Sequence, residues 1–220
     1  FHQILTPLGV TASTGDVGLL VAAIEGLTTS DARKAALRRH IWRPSRFQAL
    51  LGRFSQPFRA KALGAGGQQI GLRDASDVEL RLLQLVDEAA APPIPQFEIE
   101  ALNDLLEVKG HLPEALAQLQ ALAWRLPAIA FAVDHMAARL AALTSAGVDI
   151  SQIGFEAAYG LTAMEYYDGF IFGFYAQHAG WPAVASGGRY DALTRVLGQG
   201  HDVPAVGGII RPEFTLRLSE

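Results

Sequence analysis

The chain has 220 residues, of which 50% are hydrophobic, and a formal net charge of -4. A chain of this length and composition buries a sizeable core without disulfides or a structural metal. The sequence has no cysteine, which excludes disulfides and Cys-based zinc sites and is typical of a reducing compartment, so a cytoplasmic location is expected. The negative charge disfavours a nucleic-acid partner, and no apolar run approaches the length of a membrane span.

Residues 1–57 are predicted to form one strand and several helices. The first seven residues are typical of the end of a helix. Residues 10–14 predict a short strand that leads into a helix, for which Asp16 is the candidate N-cap. Two further helices are predicted near residues 30–40 and 45–54.

These two helices carry a cluster of basic residues, with Trp42 and Phe47 among them. The cluster has two open interpretations, which are a solvated helix face and a functional surface that contacts an acidic partner or is a relic of RNA binding. Its basic members are Arg33, Lys34, Arg38, Arg39, His40, Arg43, Arg46 and Arg53.

The middle of the chain is predicted to be mainly helical. Residues 63–67 are the best candidate for a linker, because no Lys-Ser or Lys-Thr follows at the spacing of a phosphate-binding loop. An amphipathic helix is predicted over residues 76–90, and the prolines of residues 92–95 end it. We therefore predict a helical insertion over residues 28–151. Its other predicted helices lie near residues 96–108, 113–124 and 127–146, the last with Gly147 as its candidate C-cap.

From residue 153 onward the pattern changes to strands. A helix is predicted over residues 190–197. Antiparallel strands that are separated along the chain from a run of helices predict an α+β fold. The predicted strands lie near residues 155–158, 170–177, 182–186 and 205–210.

Two short segments concentrate aromatic, acidic and glycine residues where a core alone would need aliphatic ones. They are residues 165–172 (Glu-Tyr-Tyr-Asp-Gly-Phe-Ile-Phe) and residues 186–191 (Ser-Gly-Gly-Arg-Tyr-Asp). The first segment predicts a polar turn and then a strand with one face free to line a pocket. In the second segment, two adjacent glycines let backbone N–H groups approach a ligand closely. We predict a small-ligand pocket between the Tyr166-Tyr167 turn and a loop at Gly187-Gly188.

Taken singly, a tyrosine pair is more often a half-buried strand pair, and a glycine pair is more often a turn. Together the segments resemble the two signature motifs of histidyl-tRNA synthetase, approximately Arg-Gly-Leu-Asp-Tyr-Tyr-Thr-Gly and Gly-Gly-Arg-Tyr-Asp. The resemblance implies a class II aminoacyl-tRNA synthetase fold, which is an antiparallel sheet with flanking helices, and a histidine pocket walled by both motifs. The implied histidine-binding residues, among which Tyr167 and Glu165 are expected to face the ligand, are Glu165, Tyr166, Tyr167, Gly187, Gly188, Arg189 and Tyr190.

The sequence departs from that family at two arginines. The arginine that stabilises charge on the reacting carboxylate and phosphate corresponds to Thr162, whose hydroxyl supplies no fixed positive charge. Residues 205–214 resemble a degraded class II motif 3, in which the ATP-contacting arginine corresponds to Phe214. Arg211 lies three residues out of that register, and Pro212 would interrupt a strand ladder.

A synthetase-like chain without these arginines resembles the regulatory subunits of ATP phosphoribosyltransferase, the enzyme that begins histidine biosynthesis. The resemblance to that family extends to residues 15–20, to residues 106–110 and to the basic helix that ends at residue 40. The resemblance implies a subunit without catalytic residues, cofactor or metal, which binds histidine, associates with itself and assembles with a catalytic ATP phosphoribosyltransferase chain. Class II motifs 1 and 2 are not recognisable, so an N-terminal part of the domain is expected to be missing.

Two alternatives stay open. The chain is an active histidyl-tRNA synthetase core if the two arginines are misaligned, and it is a scaffold domain if it kept the fold without a ligand. The six histidines show no metal-ligand spacing, and no nucleophilic triad or Gly-x-Ser-x-Gly motif occurs. Asp168, Asp191 and Glu165 have the residue type of a carboxylate pair, but their density near aromatic residues fits recognition of a small ligand equally well.

Overall fold

A computed structural model describes residues 1–57, 75–161, 165–198, 200–201 and 203–219. The chain divides into two compact units, of which the larger comprises Phe1–Gly26 with Glu100–Glu220 and the smaller comprises Leu27–Ile99. The boundaries 28–151 of the helical insertion stay a prediction. The linker predicted at 63–67 and the position of Thr162 lie outside the described residues.

Most elements follow the predicted pattern closely. In the larger unit the helices are α1 (His2–Leu5), α2 (Val17–Glu25), α6 (Gln96–Glu107, which begins in the smaller unit), α7 (Leu112–Leu122), α8 (Ala130–Ser145), α9 (Asp191–Leu197) and α10 (Pro212–Ser219). The helices of the smaller unit are α3 (Asp31–Arg39), α4 (Pro44–Phe54) and α5 (Ala75–Ala90). The strands are β1 (Thr11–Asp16), β2 (Lys109–His111), β3 (Gly154–Glu156), β4 (Phe170–Tyr175), β5 (Ala185–Arg189) and β6 (Val206–Ile210).

The described strands form one six-stranded sheet in the order β2-β3-β1-β4-β5-β6. Strands β1 and β3 are parallel, and the other neighbouring pairs are antiparallel. In this register Phe172 lies opposite Thr14 on one side and Gly187 on the other. The α+β prediction is confirmed, although the sheet is mixed rather than purely antiparallel.

The two faces of the sheet have different chemistry because successive side chains of β4 point to opposite sides. Phe172 and Phe174 belong to one face, on which Phe1 packs with its ring centroid 5.4 Å from that of Phe172. This face is covered by an apolar cluster that comprises Leu5, Val10, Phe174, Val184 and Ala185, with Phe214 and Leu218 of α10 packed against it. The opposite face, carried by Ile171, Gly173 and Tyr175 of β4, receives tyrosine rings instead. We call it the tyrosine face.

Local capping explains where several helices begin and end. Asp16 is the N-cap of α2, as predicted, because its carboxylate accepts a hydrogen bond of 3.0 Å from the Gly18 N–H. The same carboxylate pairs with Arg139 of α8 at 2.8 Å, and that guanidinium lies 4.4 Å from the centre of the Phe170 ring. After α8, Gly147 adopts the left-handed conformation with φ 75°, as expected beyond a helix C-terminus.

Two elements near the C-terminus differ from the prediction. Strand β5 covers Ala185–Arg189, so Gly187 and Gly188 lie in a strand, and the prediction of a loop there is wrong. Pro212 does not interrupt a strand, because β6 ends at Ile210 and the proline occupies the first turn of α10. A proline is accommodated there because the first N–H groups of a helix have no intrahelical acceptor.

In the smaller unit, one member of the basic cluster is not a surface residue. The side chain of Arg33 is buried, with the residue only 2% exposed, and lies 5.1 Å from the centre of the Phe54 ring. Its Nη1 donates to the carbonyl oxygen of Pro92 at 2.9 Å, and its Nη2 donates to that of Glu88 at 3.0 Å. Arg33 therefore connects α3 to the C-terminal end of α5 and to the segment that follows it.

Among the described residues, no helix is both long enough and apolar enough to cross a membrane.

Candidate functional site

Three tyrosines gather at one end of the tyrosine face. Tyr166 and Tyr167 lie in the turn before β4, and Tyr190 lies between β5 and α9. The ring centroid of Tyr167 is 4.5 Å from that of Tyr166 and 6.3 Å from that of Tyr190. Beside these rings is a cavity of about 420 Å³, which we call the tyrosine cavity. The residues that line it are Tyr166, Tyr167, Ser186, Tyr190, Leu193, Gly207, Gly208 and Ile209.

Glycines in β5 and β6 make room for these rings. A Cβ atom on Gly188 would lie 2.7 Å from the ring of Tyr167 and 2.7 Å from the carbonyl oxygen of Phe170. A Cβ atom on Gly207 would lie 2.5 Å from the Tyr190 hydroxyl oxygen. Gly188 and Gly207 are directly opposite each other in the sheet. Because both side chains are absent, the two tyrosine rings approach the strands closely.

The tyrosine cavity is neutral and partly buried. Tyr167 is 8% exposed, and its hydroxyl oxygen accepts a hydrogen bond of 3.3 Å from the Tyr166 hydroxyl. Burial, followed by this hydrogen bond, raises the pKa of Tyr167 above its ordinary value. The phenol therefore stays protonated at neutral pH and offers stacking and hydrogen bonding rather than a charge. Such a surface suits a small flat ligand with polar edges.

Four of the seven predicted site residues do not line the tyrosine cavity, namely Glu165, Gly187, Gly188 and Arg189. Glu165 is exposed, next to the tyrosines in sequence. Arg189 is directed to a second cavity, of about 660 Å³, whose wall also contains Asp16, Arg139 and Asp168. There its Nε and Nη2 donate to the carboxylate of Asp191 at 2.8 and 2.6 Å. The structure thus brings together the three tyrosines, with Gly188 close to the ring of Tyr167, and directs the Arg189 side chain into a different cavity.

Five residues of the cavity wall are not among the predicted site residues. They are Ser186, Leu193, Gly207, Gly208 and Ile209. A usable signal was present, because Gly207-Gly208 is a second glycine pair like Gly187-Gly188, and two glycine pairs opposite each other leave a flat patch on a sheet. The pairing register that brings them together is not visible in the sequence.

The segment matched to class II motif 3 contributes no charge to the tyrosine cavity. The ring of Phe214 packs on Trp181, with the centroids 4.9 Å apart. Arg211 holds strands together, because its N–H donates to the Val184 carbonyl oxygen at 2.9 Å and its Nη1 donates to that of Ala183. Within the described part of the chain, His, Asp and Glu residues form no group of three that is able to hold a metal ion.

Curated relatives share a name with one another. The chain is 38% identical over 107 residues to the ATP phosphoribosyltransferase regulatory subunit of Allorhizobium ampelinum, covering 48% of this chain and 28% of the relative. It is 30% identical over 150 residues to the protein of that name from Brucella anthropi, covering 67% of this chain and 39% of the relative. The matched regions therefore span less than half the length of these relatives.

Solved structures share the fold. An ATP phosphoribosyltransferase regulatory subunit/histidyl-tRNA synthetase from Bacillus halodurans is 18% identical with a TM-score of 0.59, covering 98% of this chain and 47% of that chain. The histidyl-tRNA synthetase of Nostoc sp. PCC 7120 is 17% identical with a TM-score of 0.59, covering 99% of this chain and 44% of that chain. At these identities the likeness establishes the fold, and the class II synthetase-like prediction is confirmed.

A sequence model of one family extends over most of the chain. Residues 73–214 match the model described as Histidyl-tRNA synthetase. This range includes the segments 165–172 and 186–191, which carry the three tyrosines of the cavity, and all strands from β2 to β6. The chain therefore belongs to the histidyl-tRNA synthetase family.

Proposed function

We propose that the chain is part of a regulatory subunit of ATP phosphoribosyltransferase, which binds histidine in the tyrosine cavity and carries no catalytic residues of its own. The relatives with 30–38% identity quoted above bear this name, which supports the assignment. The protein acts in the cytoplasm on a separate catalytic chain, within a hetero-oligomer that also contains further copies of the regulatory subunit.

The observation that carries the proposal is a binding surface without catalytic charge. The imidazole ring of histidine is flat and has polar edges, which the rings and hydroxyls of Tyr166, Tyr167 and Tyr190 complement. Gly188 lies against the ring of Tyr167, and Glu165, which is exposed next to the tyrosines, supplies a negative charge for the ammonium group of the amino acid. The position that corresponds to the ATP-contacting arginine is Phe214, which packs in the core.

Histidine binding is tested by thermal unfolding of the full-length protein with increasing histidine. A ligand that binds only the native state stabilises it by about 2.7 kcal/mol at one hundred times its dissociation constant. We expect a histidine-dependent rise in Tm that Tyr167→Ala abolishes. Trp124→Ala is the control, because Trp124 is 89% exposed and lies outside the tyrosine cavity. An unchanged rise in Tyr167→Ala would place the site elsewhere.

The synthetase alternative is tested by histidine-dependent pyrophosphate exchange. Losing one group that stabilises transition-state charge costs about a hundredfold or more in rate, and two arginines of the family are absent at their matched positions. We expect no exchange above background. Exchange at synthetase-like rates would replace the regulatory assignment, and a protein with neither exchange nor histidine binding would be a scaffold.

A further inference from the structure

Asp168 joins the two segments that carry the tyrosines. Its N–H donates to the carbonyl oxygen of Arg189 at 3.1 Å. Its carboxylate accepts from the N–H groups of Asp191, at 3.1 Å, and of Ala192. These three bonds fix the turn before β4 to the junction between β5 and α9. Two of them are charge-assisted, and they satisfy N–H groups in the first turn of α9 that have no intrahelical acceptor.

Asp191 extends this connection to the next strand. Its Oδ1 accepts from the Ala205 N–H at 2.9 Å, while its Oδ2 is held by Arg189. Between these residues, the Tyr190 N–H donates to the Ala205 carbonyl oxygen at 3.0 Å. The backbone of Tyr190 is therefore fixed from both sides, and through Asp168 it is fixed to the turn of Tyr167.

The two tyrosines are each covalently next to a member of this network. Tyr167 directly precedes Asp168, and Tyr190 directly precedes Asp191. The separation of 6.3 Å between their ring centroids thus depends on bonds made by carboxylates outside the tyrosine cavity. We propose that Asp168 is a positioning residue, which sets the distance between Tyr167 and Tyr190 and thereby the affinity of the cavity for its ligand.

The chemistry of the carboxylate is specific to this role. Both of its oxygens are acceptors, and each faces a backbone N–H of α9. An asparagine has nearly the same shape but only one acceptor oxygen, so its amide group would oppose the second N–H. A threonine supplies one hydroxyl acceptor for the two N–H groups. Asp168→Asn and Asp168→Thr therefore weaken the connection without changing what lines the cavity.

A matched control exists in the same unit. Asp149 also accepts from a backbone N–H at the start of a helical turn, that of Ser151 at 3.0 Å, and does not line the tyrosine cavity. Asp149→Asn therefore replaces a carboxylate by an amide at a comparable local bond, which the asparagine oxygen still accepts, and leaves the connection of Tyr167 to Tyr190 intact. It separates a loss of positioning from the general effect of replacing a carboxylate by an amide.

The test compares wild type, Asp168→Asn, Asp168→Thr and Asp149→Asn in the full-length protein, by calorimetric titration with histidine and by near-ultraviolet circular dichroism of the tyrosines. We expect about tenfold weaker histidine binding in both Asp168 variants, with a reduced tyrosine signal before ligand is added. Asp149→Asn should match wild type in both measurements.

The positioning role is overturned if both Asp168 variants keep the wild-type histidine affinity and tyrosine signal. It is also overturned if Asp149→Asn loses as much of both as the Asp168 variants do. The inference rests on the proposed function for its ligand, and the two fail differently. If wild type does not bind histidine, the proposed function is wrong. The tyrosine signal of the unliganded variants then decides the positioning role alone, and an unchanged signal refutes it.

Discussion

At the scale of single residues, the tyrosine cavity depends on two glycines, whose lack of a side chain leaves room for the tyrosine rings. Gly188 and Gly207 lie opposite each other in neighbouring strands, and the rings of Tyr167 and Tyr190 occupy the space in which their Cβ atoms would lie. These glycines thus act through close packing of aromatic rings, whereas the sequence pattern predicts that the pair Gly187-Gly188 exposes backbone N–H groups in a loop.

Gly188→Ala should disturb the cavity strongly. The added methyl group would meet both a ring and a backbone oxygen at 2.7 Å, and such overpacking costs about 1–3 kcal/mol. We expect a lower free energy of unfolding and at least about tenfold weaker histidine binding. Gly52→Ala is the control, because its added methyl group would meet no atom within 4 Å and an alanine in a helix is favoured by about 0.5–1 kcal/mol. Wild-type affinity in Gly188→Ala would contradict this role.

Arg33 shows how a residue type alone misleads. In sequence it belongs to a cluster of basic residues expected on a surface, yet its guanidinium is buried and donates to backbone carbonyl oxygens of the smaller unit. A planar group with several donors in fixed directions is suited to joining such carbonyls, and an ammonium group is not.

Arg33→Lys should destabilise the smaller unit although it conserves the charge. Lysine is unable to reach both the Pro92 and the Glu88 carbonyl oxygens in the fork geometry of arginine, and a lost bond to a charged group costs about 1.5–3 kcal/mol. Urea unfolding should show a loss of this size. Arg39→Lys, an exchange at an exposed residue, should change the free energy of unfolding by less than about 0.5 kcal/mol. Equal effects of both exchanges would refute a structural role for Arg33.

These residues show what sequence supports at this scale. Asp16 is predictable as an N-cap because capping is local and the helix begins directly after it. The burial of Arg33 and the direction of Arg189 are not predictable, because both depend on the packing of segments far apart in sequence. The segments 165–172 and 186–191 are recognisable from the sequence as a candidate site. The second glycine pair, Gly207-Gly208, becomes part of it only through the pairing of β5 with β6.

At the scale of elements, the junction between β5 and α9 organises the site. Asp191 accepts from Arg189 and from the Ala205 N–H, and so connects β5, α9 and the segment before β6. The hydrogen bond from Arg189 is the largest cause that holds the pKa of Asp191 below its ordinary value, and the Ala205 N–H adds to it.

The stability that Asp191 contributes should therefore depend on pH. Because its folded-state pKa is below the unfolded value of about 3.9, the contribution is fully present above that value and is lost as pH falls through the folded pKa. Urea unfolding of wild type and Asp191→Asn should give a constant difference in free energy between pH 7 and pH 5 and a shrinking one below about pH 4. A difference that persists unchanged at pH 3 would refute the ion pair as its source.

Elements with a regular pattern are predicted well, and short or context-dependent ones are not. The boundaries of α4, α6 and β1 agree with the prediction within a few residues, because apolar periodicity and caps mark them. Strand β2 has only three residues, too few for a periodic signal, and exists through its pairing with β3. Pro212 predicts a break in a strand, whereas it begins α10, because the position where a strand ends depends on its neighbours.

At the scale of the whole molecule, the proposed function requires communication between two proteins. A subunit without chemistry controls a reaction only if histidine favours one of two arrangements of the shared complex. The coupling is reciprocal, so the catalytic chain must change histidine affinity by the same factor by which histidine changes its binding. A coupling of about 1–3 kcal/mol corresponds to a change of roughly 5-fold to 150-fold.

The most direct test of this account is to measure the histidine affinity of the full-length protein with and without a purified catalytic ATP phosphoribosyltransferase chain. We predict that the two proteins co-elute and that the dissociation constant for histidine changes at least about fivefold when the partner is present, with a change in catalytic activity on adding histidine. The account is contradicted if the two proteins never associate. It is also contradicted if they associate but the partner leaves the histidine affinity unchanged and histidine leaves the catalytic activity unchanged.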